Sequence, residues 1–186
     1  MITKKIIGLA GRKQVGKSTA AEALEGLDFE LCSFAYTLKL MARILMGNCG
    51  LSEKQKQHAE RHKEDILPLI GVSYRYLLQT LGTDWGREKI NENLWILAAA
   101  HDASVWNQVV FDDVRFECEA AWIREQGGLI VHIERPSLAA DDAHASEAGI
   151  VYGLGDVLVV NDGSEDHLYD KIRAIGLQYL GSTTGH

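Results

Sequence analysis

The stretch GRKQVGKST, residues 11–19, lies between the apolar run IIGLA and the helix-forming AAEALEGL. Gly11, four further residues, Gly16, Lys17 and Ser18 complete the pattern G-x-x-x-x-G-K-[ST]. This feature constrains the fold most, because such a loop works only between a strand and a helix. Its successive backbone N–H groups wrap around a phosphate, and the helix that starts at the lysine adds its positive end. Gly11 and Gly16 allow the close backbone approach, Lys17 reaches the β- and γ-phosphates, and the Ser18 hydroxyl suits Mg²⁺. The loop residues expected to contact a nucleoside triphosphate, ATP, are Gly11, Lys13, Val15, Gly16, Lys17, Ser18 and Thr19. Arg12 and Lys13 either add positive potential or point into solvent. Strand, motif and helix agree, which sets aside a chance glycine-rich turn.

The rest of the chain alternates short β-branched runs with longer helical patterns, as in a parallel sheet covered by helices. The patterns predict strands at about 4–10, 29–33, 108–112, 129–134 and 157–160. They predict helices at about 17–25, 37–46, 73–81, 93–105, 116–126 and 165–177. The fold class expected is therefore α/β, a five-stranded parallel sheet flanked by helices. With 186 residues, a single domain over 1–186 is expected, with insertions. One insertion contains LSEKQKQHAERHKEDILPLIG, densely charged and closed by Pro68 and Gly71, which suits a solvated helix or mobile arm. The other, RPSLAADDAHASEAGIVYGLG at residues 135–155, is rich in small and polar residues and suits a loop or lid.

Composition removes several classes of function. A net charge of -7 opposes a broad basic footprint, so stable nucleic-acid binding is not expected and phosphate must be held by local features. Cys32, Cys49 and Cys118 are odd in number and form no C-x-x-C pair, which indicates neither a disulfide framework nor a thiolate zinc site. His58 and His62 lack the glutamate placement of H-E-x-x-H, so zinc is not expected there either. No secretory leader is legible in MITKKIIGLAGRK, and LWILAAA is too short to cross a bilayer, so no membrane partner and a cytoplasmic location are expected. No base-reading N/T-K-x-D motif and no D-x-x-G switch accompany the loop, which removes a GTPase.

Two further constellations carry chemistry. VVFDD at residues 109–113 resembles a strand ending in paired acids, and VRF follows at once, putting Arg115 at the carboxyl edge where open α/β sheets bind ligands. Asp112 or Asp113 can orient hydrated Mg²⁺ or accept a proton from the acceptor, with Asp113 preferred; the plainer reading is a helix N-cap. In SYRYLLQTLGTDWGREKI, Arg75, Gln79 and, beyond a turn, Thr83 and Arg87 recur every four residues, while Tyr76, Leu77 and Leu81 can face the core. Arginine can grip a phosphate, glutamine can read a base edge, and Trp85 or Tyr74 can stack on a ring. A plain amphipathic helix with exposed polar residues explains the same spacing.

Taken together, GRKQVGKST, SFAYTLKLMARIL, RYLLQTLGTDWGRE, VVFDDVRFECEAAWIREQGG, HIERPSLAADDAHASE and VVNDGSEDHL resemble the bacteriophage deoxynucleoside monophosphate kinases. The resemblance runs from Gly8 to about Leu168. It implies the nucleoside monophosphate kinase fold of the P-loop class, with a monophosphate-binding arm at about 48–91 and a lid at about 135–155. It implies transfer of the ATP γ-phosphoryl group to a deoxynucleoside 5′-monophosphate, with ATP and Mg²⁺ at the loop and Ser18 and Asp113 at the metal. Lys17, Asp113, Arg115 and the lid's Arg135 are then the catalytic set. Arg75, Gln79, Thr83, Asp84, Trp85, Arg87, Arg115 and Glu147 are the acceptor set, and Asn161, in VVNDGS, is a contact to the adenine, although N-D-G is also a common bare turn. Where the family often has aspartate after the loop lysine, this chain has Ser18. For His144 the expectation is a hydrogen-bonding loop residue. A homodimer is compatible with this reading, and host-cell cytoplasm is the location if the chain is phage-encoded. The alternatives are another small-molecule kinase, such as a dephospho-coenzyme A kinase, and an ATP-binding regulatory or DNA-associated module.

Overall fold

The computed structural model describes residues 4–136 and 150–182. Five strands, β1 (Lys5–Ala10), β2 (Glu30–Cys32), β3 (Gln108–Val114), β4 (Leu129–Glu134) and β5 (Val157–Val160), form one sheet in the order β2-β3-β1-β4-β5. Every pairing is parallel. Parallel strands covered on both faces are near-continuous apolar runs, and Ile6, Ile7, Leu9 and Ala10 of β1 are all buried. The helices are α1 (Lys17–Glu25), α2 (Tyr36–Asn48), α3 (Glu53–Arg61), α4 (Tyr74–Gln79), α5 (Leu94–Ala103), α6 (Glu117–Glu125) and α7 (Glu165–Gly181), with a π-helix over Thr80–Ile90 between α4 and α5. The expected α/β class and five-stranded parallel sheet are what the chain adopts. No helix of the described residues is long and apolar enough to cross a membrane.

The chain divides into two compact units, Met1–Phe34 with His101–His186, and Ala35–Ala100. In the first, α1 and α7 bring Ala20, Leu24, Leu168 and Ile172 over Ile7, Leu9, Val110, Val131 and Ile133 of the sheet. On the other side, Ile123 of α6 and Ile130 of β4 close on Gly8, where any side chain would collide.

The second unit has its own core, built from Ala42, Met46, Leu51, Ala59, Leu67, Tyr74 and Leu77. The expected arm at 48–91 falls within it. The charged segment is a capped helix there: the Ser52 hydroxyl accepts the N–H of Gln55 and the Gln55 side chain accepts the N–H of Ser52. Arg43 pairs with both Glu53 and Glu60, while Ala59 is buried. An isolated bridge between Ile66 and Ser73 leads the chain back into α4.

The region after Gln79 departs from expectation. The sequence predicts a helix that ends near 81 and a turn before Thr83, yet α4 continues as eleven residues of π-helix. Gly82 and Gly86 are buried in it, the indole N–H of Trp95 donates to the Gly82 carbonyl at 2.8 Å, and a Cβ on Gly86 would stand 2.5 Å from the Trp95 ring. The i→i+5 bonding of a π-helix is rare in long runs and is concentrated at functional sites.

Candidate active site

The loop at residues 11–19 is shaped by steric exclusions at its two glycines. Gly11 has φ 147° and a Cβ there would meet the Ile133 carbonyl oxygen at 2.4 Å. Gly16 has φ 107° and a Cβ there would meet Leu168 Cδ2 at 2.5 Å. Only glycine fits either place. Between them Gln14 also takes a left-handed conformation, φ 67°. Gly16 is the N-cap of α1 and has no side chain with which to cap it. Uncapped amides at a helix start are donors suited to an anion. The Lys17 ammonium arcs back over the loop, donating to the carbonyls of Gly11 at 2.6 Å and Arg12 at 2.8 Å. Arg12, Lys13 and Ser18 are exposed and Thr19 is half-buried.

Two expected nucleotide contacts are buried in the packing. Val15 is buried with its side chain in the core, so only its backbone is available to a ligand. Asn161, after β5, is also buried, and its side-chain N–H donates to the Val15 carbonyl at 2.8 Å. The amide therefore supports the loop from beneath. Its exposed neighbour Asp162 accepts from Lys171 at 3.0 Å, which holds the Asp162 carboxyl below its usual range. Arg135, Pro136, Asn161, Asp162 and Gly163 line a cavity of about 190 Å³. Glu147, with Asp142 and His144, lies outside the described residues.

β3 is the neighbour of β1, so its carboxyl end lies beside the loop. The register slips there: Gly8 pairs with Phe111 but Ala10 pairs with Val114, leaving Asp112 and Asp113 in a bulge. Bulges re-aim side chains and recur next to active sites. Asp113 accepts from the Ser33 hydroxyl at 2.6 Å and from the Phe34 N–H at 2.9 Å. It is not the N-cap of α6, a position held by Phe116; buried Glu119 reaches back from the first turn, its carboxylate accepting the N–H groups of Arg115 at 2.8 Å and Phe116 at 3.1 Å. Arg115 is exposed at the sheet edge.

The acceptor candidates divide by position. Arg75 and Gln79 are exposed on α4, and the Arg75 guanidinium pairs with Glu64. Thr83 and Arg87 are half-buried, Asp84 and Trp85 exposed, all within the π-helix. With Arg75 and Gln79 they lie along the continuous run from α4 into the π-helix. Arg87 donates to the Glu92 carbonyl at 3.2 Å. The tyrosines exchange roles relative to expectation. Tyr74 is buried, where burial first and then the Glu60 charge push its hydroxyl pKa up, and Tyr76 is 57% exposed. Tyr74, Leu77, Leu78 and Leu81 follow the i, i+3, i+4, i+7 rule of a buried stripe, a signal that was legible in the sequence.

A family model for deoxynucleotide monophosphate kinase matches residues 33–172. A protein of Acanthamoeba polyphaga mimivirus assigned to the same kinases is 33% identical over 183 residues, covering 90% of this chain and 93% of its own length. This chain belongs to the deoxynucleotide monophosphate kinase family.

The family's member from Enterobacteria phage T4 is 32% identical over 106 residues, 54% of this chain, and the match covers 44% of the phage protein. For that from Escherichia phage T5 the identity is 32% over 51% of this chain and 42% of the phage protein. The fold has a counterpart in a solved structure from Chloroflexus aurantiacus assigned as a kinase, with a TM-score of 0.50, 14% identity and 99% of this chain covered. As a member of the deoxynucleotide monophosphate kinase family, the chain is a kinase.

Ser33 and Glu119 were missed by sequence reasoning. Glu119 had a signal, an acid four residues after Arg115 at a helix start. Ser33 had none beyond its place in SFAYTLK, because its partner is 80 positions away.

Proposed function

We propose that the chain transfers the γ-phosphoryl group of ATP to a deoxynucleoside 5′-monophosphate, giving ADP and the deoxynucleoside diphosphate. An acceptor phosphate oxygen forms the new P–O bond as the bond from the γ-phosphorus to the β,γ-bridging oxygen breaks. The observation that carries this reading is the glycine-shaped loop at the start of α1 under the Lys17 ammonium, with the bulged Asp112–Asp113 pair at the end of the neighbouring strand. Family membership favours this reading over a dephospho-coenzyme A kinase or a regulatory module.

Each residue's part follows from its chemistry. The α1 amides and Lys17 hold the β- and γ-phosphates, with the Lys17 donors moving from the loop carbonyls to phosphate oxygens. The exposed Ser18 hydroxyl, at the start of α1, and the Asp113 carboxylate are hard oxygen donors that fit Mg²⁺, directly or through water. When bound, Mg²⁺ neutralises charge that builds on the transferring group. Asp113 also suits acceptance of a proton from the acceptor phosphate. Arg115 and Arg135 supply cationic stabilisation of the γ-phosphoryl oxygens. Arg75, exchanging Glu64 for the acceptor phosphate, Gln79, Trp85 and the neighbouring Thr83, Asp84 and Arg87 bind the monophosphate. Catalysis here is positioning and electrostatics, with no covalent enzyme intermediate.

The test is ADP and diphosphate formation from ATP, Mg²⁺ and each of the common deoxynucleoside monophosphates in turn. At least one monophosphate accelerates ADP release, and Lys17→Ala abolishes the acceleration with the unfolding midpoint unchanged. A protein that no monophosphate stimulates is not this kinase.

A further inference from the structure

The residues that follow β2 reach the acid at the end of β3. Ser33 Oγ donates to Oδ2 of Asp113 at 2.6 Å, and the Phe34 N–H donates to Oδ1 at 2.9 Å. One donor on each oxygen fixes the plane of the carboxylate, which would otherwise turn about its side-chain bonds at the loosened, bulged end of a strand.

The Phe34 half of this clamp is held by aromatic packing. Its ring stacks on Phe111 with centroids 4.4 Å apart and planes 16° apart, and Trp122 of α6 stands edge-on to Phe34 at 5.9 Å and to Phe111 at 5.8 Å. Phe111 precedes the bulge directly, so one aromatic cluster locks the Phe34 backbone to the strand that carries Asp113. The Ser33 hydroxyl is the half that a side-chain substitution can remove.

We infer that Ser33 is a positioning residue for phosphoryl transfer: its hydroxyl, together with the Phe34 N–H, sets the orientation in which Asp113 presents its carboxylate to metal-bound water and to the acceptor. This rests on the role proposed above for Asp113. The physical basis is that partners of a metal-orienting carboxylate tune it without touching substrate, and their loss costs about 10- to 100-fold in metal affinity or activity.

The experiment compares Ser33→Ala, Ser33→Thr and Asp113→Asn in steady-state assays with ATP and a monophosphate, titrating Mg²⁺ and acceptor separately and recording urea unfolding midpoints. Ser33→Ala is expected to lower kcat by about 10- to 100-fold and to raise the Mg²⁺ concentration at half-maximal rate, with the acceptor KM unchanged. Ser33→Thr, which keeps the hydroxyl, restores most of the rate, and Asp113→Asn is inactive. If Asp113→Asn retains full activity, the Asp113 role falls and this inference with it. If Asp113→Asn is inactive while Ser33→Ala behaves as wild type, the Ser33 role alone is overturned. A rise in acceptor KM with unchanged Mg²⁺ demand overturns it too, since Ser33 would then be a substrate contact, as does a loss that threonine does not restore. Should Ser33→Ala lose its unfolding transition, Ser33→Cys, similar in size but a weak donor, serves in its place with the same outcomes.

Discussion

Asn161 shows how one side chain ties a distant strand end to the phosphate loop. Its N–H satisfies the Val15 carbonyl at 2.8 Å, and Gly16 leaves room for that contact, because a Cβ there would come within 2.9 Å of the amide nitrogen. Removing the amide strands a buried carbonyl, which costs about 1–3 kcal/mol, and frees the loop where it curls around phosphate. Asn161→Ala is therefore expected to lower urea stability by about that amount and to raise the KM for ATP while the acceptor KM stays in place. Equal effects on both substrates would separate Asn161 from the loop. Cys32, by contrast, is a core residue: burial, with help from the Asp102 and Glu30 charges, pushes its thiol up to about 11, so it remains protonated and unreactive at neutral pH.

At the scale of an element, the π-helix is where local pattern and structure part most. Periodicity predicts a helix that stops near Leu81, since Gly82 and Gly86 are poor helix formers. The helix instead runs to Ile90, with the Trp95 indole pressed against both glycines. Gly86→Ala puts a methyl 2.5 Å from the ring and 2.9 Å from the Leu81 carbonyl. Overpacking of this kind costs about 1–3 kcal/mol, measurable as a lower thermal midpoint. In a double-mutant cycle with Trp95→Leu the two changes are expected to couple by more than about 0.5 kcal/mol. Additive effects would mean that Trp95 is not what confines the glycine. At the start of α6, Glu119 reaches back to the N–H groups of Arg115 and Phe116, while Asp113 bonds to the residues after β2.

At the scale of the molecule, the buried charge Asp156 joins a helix, a strand and the segment before β5. Its carboxylate accepts from Arg124 of α6 at 2.6 and 3.1 Å, from His132 of β4 at 2.8 Å and from the Gly153 N–H at 2.8 Å. Arg124 also binds Glu117 at 2.7 Å and the Val151 carbonyl at 2.8 Å, so residues 151–156 are tied to both a helix and a strand. Burial pushes the Asp156 carboxyl up, but the bonds from Arg124, Gly153 and His132 outweigh it and hold the group below its usual range. With the folded-state pKa depressed, the stabilisation is present above the unfolded-state value of about 3.9 and fades as pH falls through the folded one. Asp156→Asn is expected to cost about 3 kcal/mol at pH 7, because Arg124 loses its buried partner. In urea unfolding from pH 7 down to pH 2, the gap between wild type and variant narrows below about pH 4. A gap that does not change with pH would show that packing, not charge, accounts for the loss.

The sequence by itself determined what depends on neighbouring residues. The loop at Gly11–Ser18 had to lie between a strand and a helix, and five strands and most helices were legible to within a few residues because apolar periodicity is a local property. Family blocks in the same chain pointed to the acceptor class. Only the tertiary structure decided the sheet order, the bulge that re-aims Asp112 and Asp113, the choice of Asp113 by Ser33 and Phe34, and the attachment of Asn161 to the loop. In each of these the partners lie far apart in the chain, so no spacing announces them: hydrogen bonds and steric exclusion pair groups by distance in space, and the distance exists only once the sheet has formed.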